Sequence, residues 1–193
     1  MRVSRIRWIL LPALMAPVLA SAHVGVGPTV GFVAGLGHPL SSADHLLAMV
    51  AVGAWAALLG GRAVWQLPAT FLAVLIAGAA WGAAHRVLPG AEWLIALSVL
   101  SLGMLVATRA KTPAVAAVML VALFALAHGH AHGSEMPADA AGLMYGAGFV
   151  AAAALLQAAG VAAGFWMTAR SAWFVRMAGA GMAVSGATML ALR

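Results

Sequence analysis

Long apolar runs, which charged residues seldom interrupt, make up most of this sequence. Only 7% of the residues are Asp, Glu, Lys or Arg, whereas a soluble domain carries about a quarter. A chain with so few charges could not cover a surface that faces water. Because the runs are continuous rather than alternating, they predict a bundle of transmembrane helices and argue against an outer-membrane barrel.

Cysteine and net charge exclude further classes of site. The chain contains no Cys, so it has no disulfide framework, no thiolate metal site and no cysteine nucleophile. The formal net charge is +6, but the basic residues are scattered at the ends of the apolar runs and form no stripe. We therefore expect no nucleic-acid partner, and we expect these residues to set the orientation of the chain in a lipid bilayer.

The N-terminus resembles a secretory signal. Arginines at positions 2, 5 and 7 precede an apolar stretch from Trp8 to Ala20, and small residues at Ala20 and Ala22 fit a cleavage site. We predict that residues 1–22 are a cleavable signal peptide and that residues 23–193 form one transmembrane domain. An uncleaved first helix is the alternative.

Beyond residue 22 the sequence predicts an all-α membrane protein built as a six-helix transmembrane bundle, since six apolar segments approach the ~20 residues that a bilayer core requires. The fourth segment is short unless its helix continues through the histidines that follow it. The six predicted spans are Ser42–Gly60, Val64–Ala84, Ala91–Thr108, Pro113–Ala127, Ala140–Trp166 and Trp173–Leu192.

The basic residues indicate the orientation of these spans. Five of them fall on the side opposite the mature N-terminus: Arg62, Arg109, Lys111, Arg170 and Arg176. The other side carries only Arg86 and Arg193. By the positive-inside rule this predicts a multi-pass protein of the bacterial inner membrane with a periplasmic mature N-terminus.

The histidines and carboxylates segregate to the outer halves of the spans. This set comprises His23, His38, Asp44, His45, His85, Glu92, His128, His130, His132, Glu135 and Asp139. The simplest physical reason for this sorting is a positively charged ligand that arrives from outside. Imidazole and carboxylate without thiolate suit Ni, Co, Zn or Cu(II), whereas Mg and Ca prefer shells made only of oxygen.

The densest group of histidines follows the fourth predicted span. In a helix, His128, His132 and Glu135 stand at i, i+4 and i+7 and share one face, while His130 points to the opposite side. The glycines after His128 and His132 bare the backbone, so that a neighbouring helix or an ion can come close. The alternative is a solvated His-rich loop.

A second group opens the first predicted span. Ser41 and Asp44 have the spacing of a capping box, which would make Asp44 a helix-start carboxylate. In a continuous helix His38 and His45 would lie about 10 Å apart. Either Pro39 and the serines break the backbone so that His38 folds back, or the two histidines are successive stations on a path. Ionisable groups inside a membrane usually serve a function.

Four further residues are weaker candidates as metal ligands. His85 and Glu92 have interfacial or helix-capping roles as alternatives, and His23 would be the mature N-terminus. The four weaker candidates are His23, His85, Glu92 and His130.

These two groups resemble the HupE/UreJ family of nickel/cobalt permeases. The matching motifs are His38-x5-Asp44-His45 and His128-Gly-x-Ala-His132-Gly-x-Glu135, and the likeness covers nearly the whole chain. The resemblance implies the metal-site residues His38, Asp44, His45, His128, His132 and Glu135. Two departures are Ala127, where the family usually has Phe, and Ser41 or Ser42 in place of the usual Gly.

The resemblance further implies a secondary carrier or diffusion facilitator that brings Ni²⁺, with Co²⁺ as the alternative, inward for hydrogenase or urease maturation. Such a protein is not an enzyme, needs no cofactor, and has the divalent ion and membrane lipid as partners; a homo-oligomer stays open. Two rivals use the same residues. One is a haem-binding electron-transfer protein with His45 and His128 as axial ligands, and the other is a membrane metallohydrolase.

Overall fold

The computed structural model describes residues 31–84, 87–136 and 139–193, and the regular structure in these ranges is α-helical. The helices are α1 (Phe32–Ser41), α2 (Ala43–Leu59), α3 (Ala63–Ala83), α4 (Ala91–Thr108), α5 (Ala114–Glu135), α6 (Ala140–Arg170) and α7 (Ala172–Ala191). The predicted signal peptide, His23 and His85 lie outside the described residues, so they stay predictions.

Five of these helices, α3 to α7, are long and apolar enough to cross a membrane. The pair α1–α2 passes the same test together but is bent by 84°, and it supplies a sixth span if it is counted as one. The prediction of a helical membrane bundle is therefore confirmed. Helix α5 continues through the histidines to Glu135 rather than ending in a loop before them.

The bend between α1 and α2 has a local cause. Ser42 lies between the helices with extended backbone angles, φ −112° and ψ 113°, and Pro39 removes a backbone donor from the last turn of α1. The Ser41 hydroxyl donates to the His38 carbonyl at 2.8 Å. The capping box predicted between Ser41 and Asp44 is wrong, because Ser42 is the N-cap and the Ser41 hydroxyl is used in α1.

The helices pack in close pairs: α3 on α5, α4 on α7, and both α1 and α2 on α6. The α3–α5 contact depends on Gly129 and Gly133, since a Cβ there would collide with the backbone carbonyls of Leu75 and Ala79. This close approach fixes the rotation of α5. It directs His128 and His132 toward His45 on α2.

Candidate metal centre

Four imidazoles from three helices meet at one end of the bundle. The ring centroids of His45 on α2 and His132 on α5 lie 4.4 Å apart, and those of His45 and His128 lie 5.0 Å apart. From α1, the His38 ring lies 4.7 Å from that of His132 and 5.9 Å from that of His45. The bend therefore folds His38 back toward His45, as the first of the two sequence alternatives predicts.

Asp44 orients the imidazole of His45. Its Oδ1 lies 2.6 Å from His45 Nδ1 and accepts hydrogen bonds from the Ser42 hydroxyl at 2.5 Å and the His45 backbone N–H at 2.8 Å. A carboxylate beside Nδ1 holds the proton on that nitrogen and leaves the lone pair on Nε2. Asp44 thus prepares His45 to act as a ligand through Nε2.

His128 is held in the same tautomer by a backbone carbonyl. Its Nδ1 donates to the Phe124 carbonyl at 2.8 Å, because a carbonyl oxygen can only accept. His128 is fully buried, and within the described residues its Nε2 has no hydrogen-bond partner. A buried lone pair without a partner is costly, and a cation would satisfy it.

The Nε2 atoms of His45 and His132 face each other directly. Nδ1 of His132 is buried without a hydrogen-bond partner in the described part of the chain. Two neutral imidazoles in this arrangement can share only one hydrogen bond, whereas an ion between them would use both lone pairs. As the side chains stand, no three His, Asp or Glu residues of the described ranges form a ready-made ion cage.

Aromatic rings form the wall around these imidazoles, and sequence analysis missed them. Phe149 on α6 lies 4.3 Å from the His132 ring and 6.0 Å from that of His45, measured between centroids. Phe71 on α3 lies 5.8 Å from His128, and Tyr145 lies 5.9 Å from His38. Neighbouring helices therefore supply the apolar wall beside Ala127. The four-residue spacing of the two α6 aromatics was the available signal.

Arg193 also reaches this end of the bundle, which the sequence did not reveal. One guanidinium nitrogen donates to Glu92 Oε2 at 2.8 Å, and the other lies 3.9 Å from Asp44 Oδ2. Arg193 thus links Glu92 to Asp44, which lies beside His45. The contact brings the N-terminal ends of α2 and α4 and the C-terminal end of α7 together at one end of the bundle.

Three further polar residues of the predicted set are Glu135, His130 and Asp139. Glu135 is exposed at the end of α5. The buried ring of His130 faces Trp81 on α3 at 5.5 Å, which confirms that it points away from His128. Asp139 is the N-cap of α6 and accepts from Ala141 N and Gly142 N, both at 3.0 Å.

Comparison with known proteins finds similarity over most of the chain. The profile of the family described as HupE / UreJ protein matches residues 11–189. Protein HupE of Rhizobium leguminosarum bv. viciae is 44% identical over 181 residues, which cover 93% of this chain and 94% of that protein. No solved structure matches the chain significantly. Since both the profile and the relative span nearly all of it, this chain belongs to the HupE/UreJ family.

Proposed function

We propose that this protein carries a divalent transition-metal ion across the bacterial inner membrane, as a secondary transporter or diffusion facilitator. Ni²⁺ is the proposed substrate, with Co²⁺ as the alternative. Family membership and the helical membrane bundle support a transport role. The family resemblance supports a supply of metal to hydrogenase or urease maturation.

One observation supports the proposal above all: Nε2 of His45 on α2 faces Nε2 of His132 on α5, beside the buried Nε2 of His128. Two of these imidazoles have Nδ1 engaged, by Asp44 and by the Phe124 carbonyl. Histidines prepared in this way are typical of metal sites, where a second hydrogen bond fixes the ligating nitrogen. His38 contacts the same group from α1.

The donor set supports a borderline divalent ion. Neutral imidazoles with a nearby carboxylate and no thiolate suit Ni²⁺ and Co²⁺ better than Cu(I) or Ca²⁺. A hydrated ion that enters from the outer end would exchange water for these nitrogens. The membrane potential then favours inward movement of a divalent ion by about 4.6 kcal/mol per 100 mV, from about 2.3 per charge.

The rival with haem has less support from the geometry. Axial ligation would require His45 and His128 on opposite faces of a flat macrocycle, but their rings touch edge to face at 5.0 Å. Helices α2 and α5 would have to part to admit it. A hydrolase is likewise less well supported, since the rings of Phe71, Phe149 and Tyr145 give the imidazoles a largely apolar surrounding.

Radiolabelled Ni²⁺ uptake by cells tests the proposal. Expression of the wild type should raise uptake, and His128→Ala should abolish the increase at equal membrane abundance. Excess Co²⁺ should compete more strongly than Mg²⁺. The matched control is His130→Gln, which alters a histidine on the same helix that faces Trp81 instead of the centre. Equal uptake by the wild type and His128→Ala would sink the proposal.

A further inference from the structure

One polar side chain deep in the bundle has no described role. Gln157 on α6 is 1% exposed, and within the described residues neither its Oε1 nor its Nε2 has a hydrogen-bond partner. The chain's buried polar residues in those ranges are otherwise at the outer end of the bundle, except Ser98. The Ser98 hydroxyl donates to the Ile95 carbonyl at 2.6 Å, so Gln157 stands out.

The position of Gln157 relates it to the imidazoles. Helix α6 packs along α2, and a Cβ on Gly53 would collide with the backbone carbonyl of Gln157. Gly53 follows His45 by eight residues, and Gln157 follows Phe149, which contacts the His45 ring, by eight residues. On both helices this is about 12 Å, or just over two turns. Gln157 therefore lies about two turns further into the bundle than the imidazoles.

The energetic cost of this side chain calls for a ligand. An amide without hydrogen-bond partners in an apolar interior is costly relative to the same amide in water, and polar groups inside membranes usually mark a pathway. The surrounding core is apolar and includes Val52, Ala56 and Ala153. Any divalent ion that leaves the imidazoles and continues inward must cross this layer.

We propose that Gln157 is an inner station for the transported ion, where its side-chain carbonyl oxygen binds the partly hydrated divalent cation. This inference rests on the proposed function and adds a second site on the inward path. An oxygen ligand holds Ni²⁺ or Co²⁺ more weakly than imidazoles do. Such a step from nitrogen to oxygen would let the ion move on rather than remain trapped.

Three variants test the inference in proteoliposomes with radiolabelled Ni²⁺. Gln157→Met keeps the size but removes the ligand, and Gln157→Glu keeps an oxygen ligand. We expect the initial rate of Ni²⁺ transport to fall about tenfold in Gln157→Met, equivalent to about 1.4 kcal/mol. Equilibrium Ni²⁺ binding at the imidazoles should stay unchanged in this variant. Gln66→Met, at the only other glutamine, is the matched control and should transport like the wild type.

The order of the two variants separates an ion station from a structural role. If Gln157 has only a packing role, the Gln157→Met variant should transport Ni²⁺ at least as fast as the Gln157→Glu variant, because a buried carboxylate is costly. If Gln157 meets the ion, Glu should transport faster than Met. The inference is overturned if Gln157→Met transports Ni²⁺ as fast as the wild type, or if Gln157→Glu transports it more slowly than Gln157→Met. If His128→Ala abolishes transport in the same assay, the proposed function survives that result.

Discussion

His45 and His132 turn their Nε2 atoms toward each other although 87 residues separate them in sequence. Each comes from a helix with a different packing partner, since α2 lies on α6 and α5 lies on α3. The contact therefore depends on the assembly of the whole bundle. It brings two imidazole nitrogens from different helix pairs face to face.

Loss of either histidine of this pair should abolish high-affinity Ni²⁺ binding. We expect His45→Ala and His132→Ala each to weaken binding by tenfold or more, about 1.4 kcal/mol, in titration calorimetry of the purified protein. Because both ligands would serve one ion, the double variant should be little worse than the weaker single variant. Losses that add fully would contradict a shared ion.

Asp44 should act by positioning His45 rather than by binding the ion. Asp44→Asn removes the carboxylate charge next to His45 Nδ1, and we expect Ni²⁺ affinity to fall by about 10–100-fold, as is common for outer partners of ligands. Asp139→Asn is the matched control, since Asn caps a helix as well as Asp does. Affinity in Asp44→Asn equal to the wild type would remove this role.

Gly133 should be required for the close contact between α3 and α5. A Cβ at this position would collide with the Ala79 carbonyl, so we expect Gly133→Ala to lower stability by about 1–3 kcal/mol. Thermal unfolding in detergent, followed by tryptophan fluorescence, measures the effect. The control Gly146→Ala places its Cβ 3.5 Å from Met136 Sδ, an ordinary contact, and should unfold like the wild type.

Uptake should fall as the external medium is acidified. Imidazole must be neutral to bind a metal, and histidine ordinarily takes up a proton at a pH near 6.5. Protons therefore compete with the ion increasingly as the pH drops, and Ni²⁺ uptake should decline from pH 7.5 to pH 5. Uptake that stays level over this range, with the membrane potential clamped, would argue against ligation by histidine.

The sequence predicted those features that follow from local periodicity. The apolar spans and the opposite direction of His130 depend on spacing along one helix. The spacing of His128 and His132 left a continuous helix and a loop as alternatives, and the structure shows the helix. Hydropathy and helical phase suffice for such predictions.

The sequence could not predict contacts between distant elements. The approach of Arg193 to Asp44 and the place of Phe149 beside His132 arise from packing between helices. Glu135 illustrates the limit of periodicity, because it shares the helical phase of His128 but lies in the last, exposed turn of α5.

The pairing of α2 with α6 and of α5 with α3 has a mechanical consequence. Glycines bring the helices of each pair backbone against backbone, and the two pairs meet through a shared apolar core and through the rings of His45, His128 and His132. A small displacement of one pair against the other would change the space between the imidazoles and leave the close contacts within each pair intact. An ion bound between His45 and His132 would therefore link the two helix pairs, and its release would remove that link.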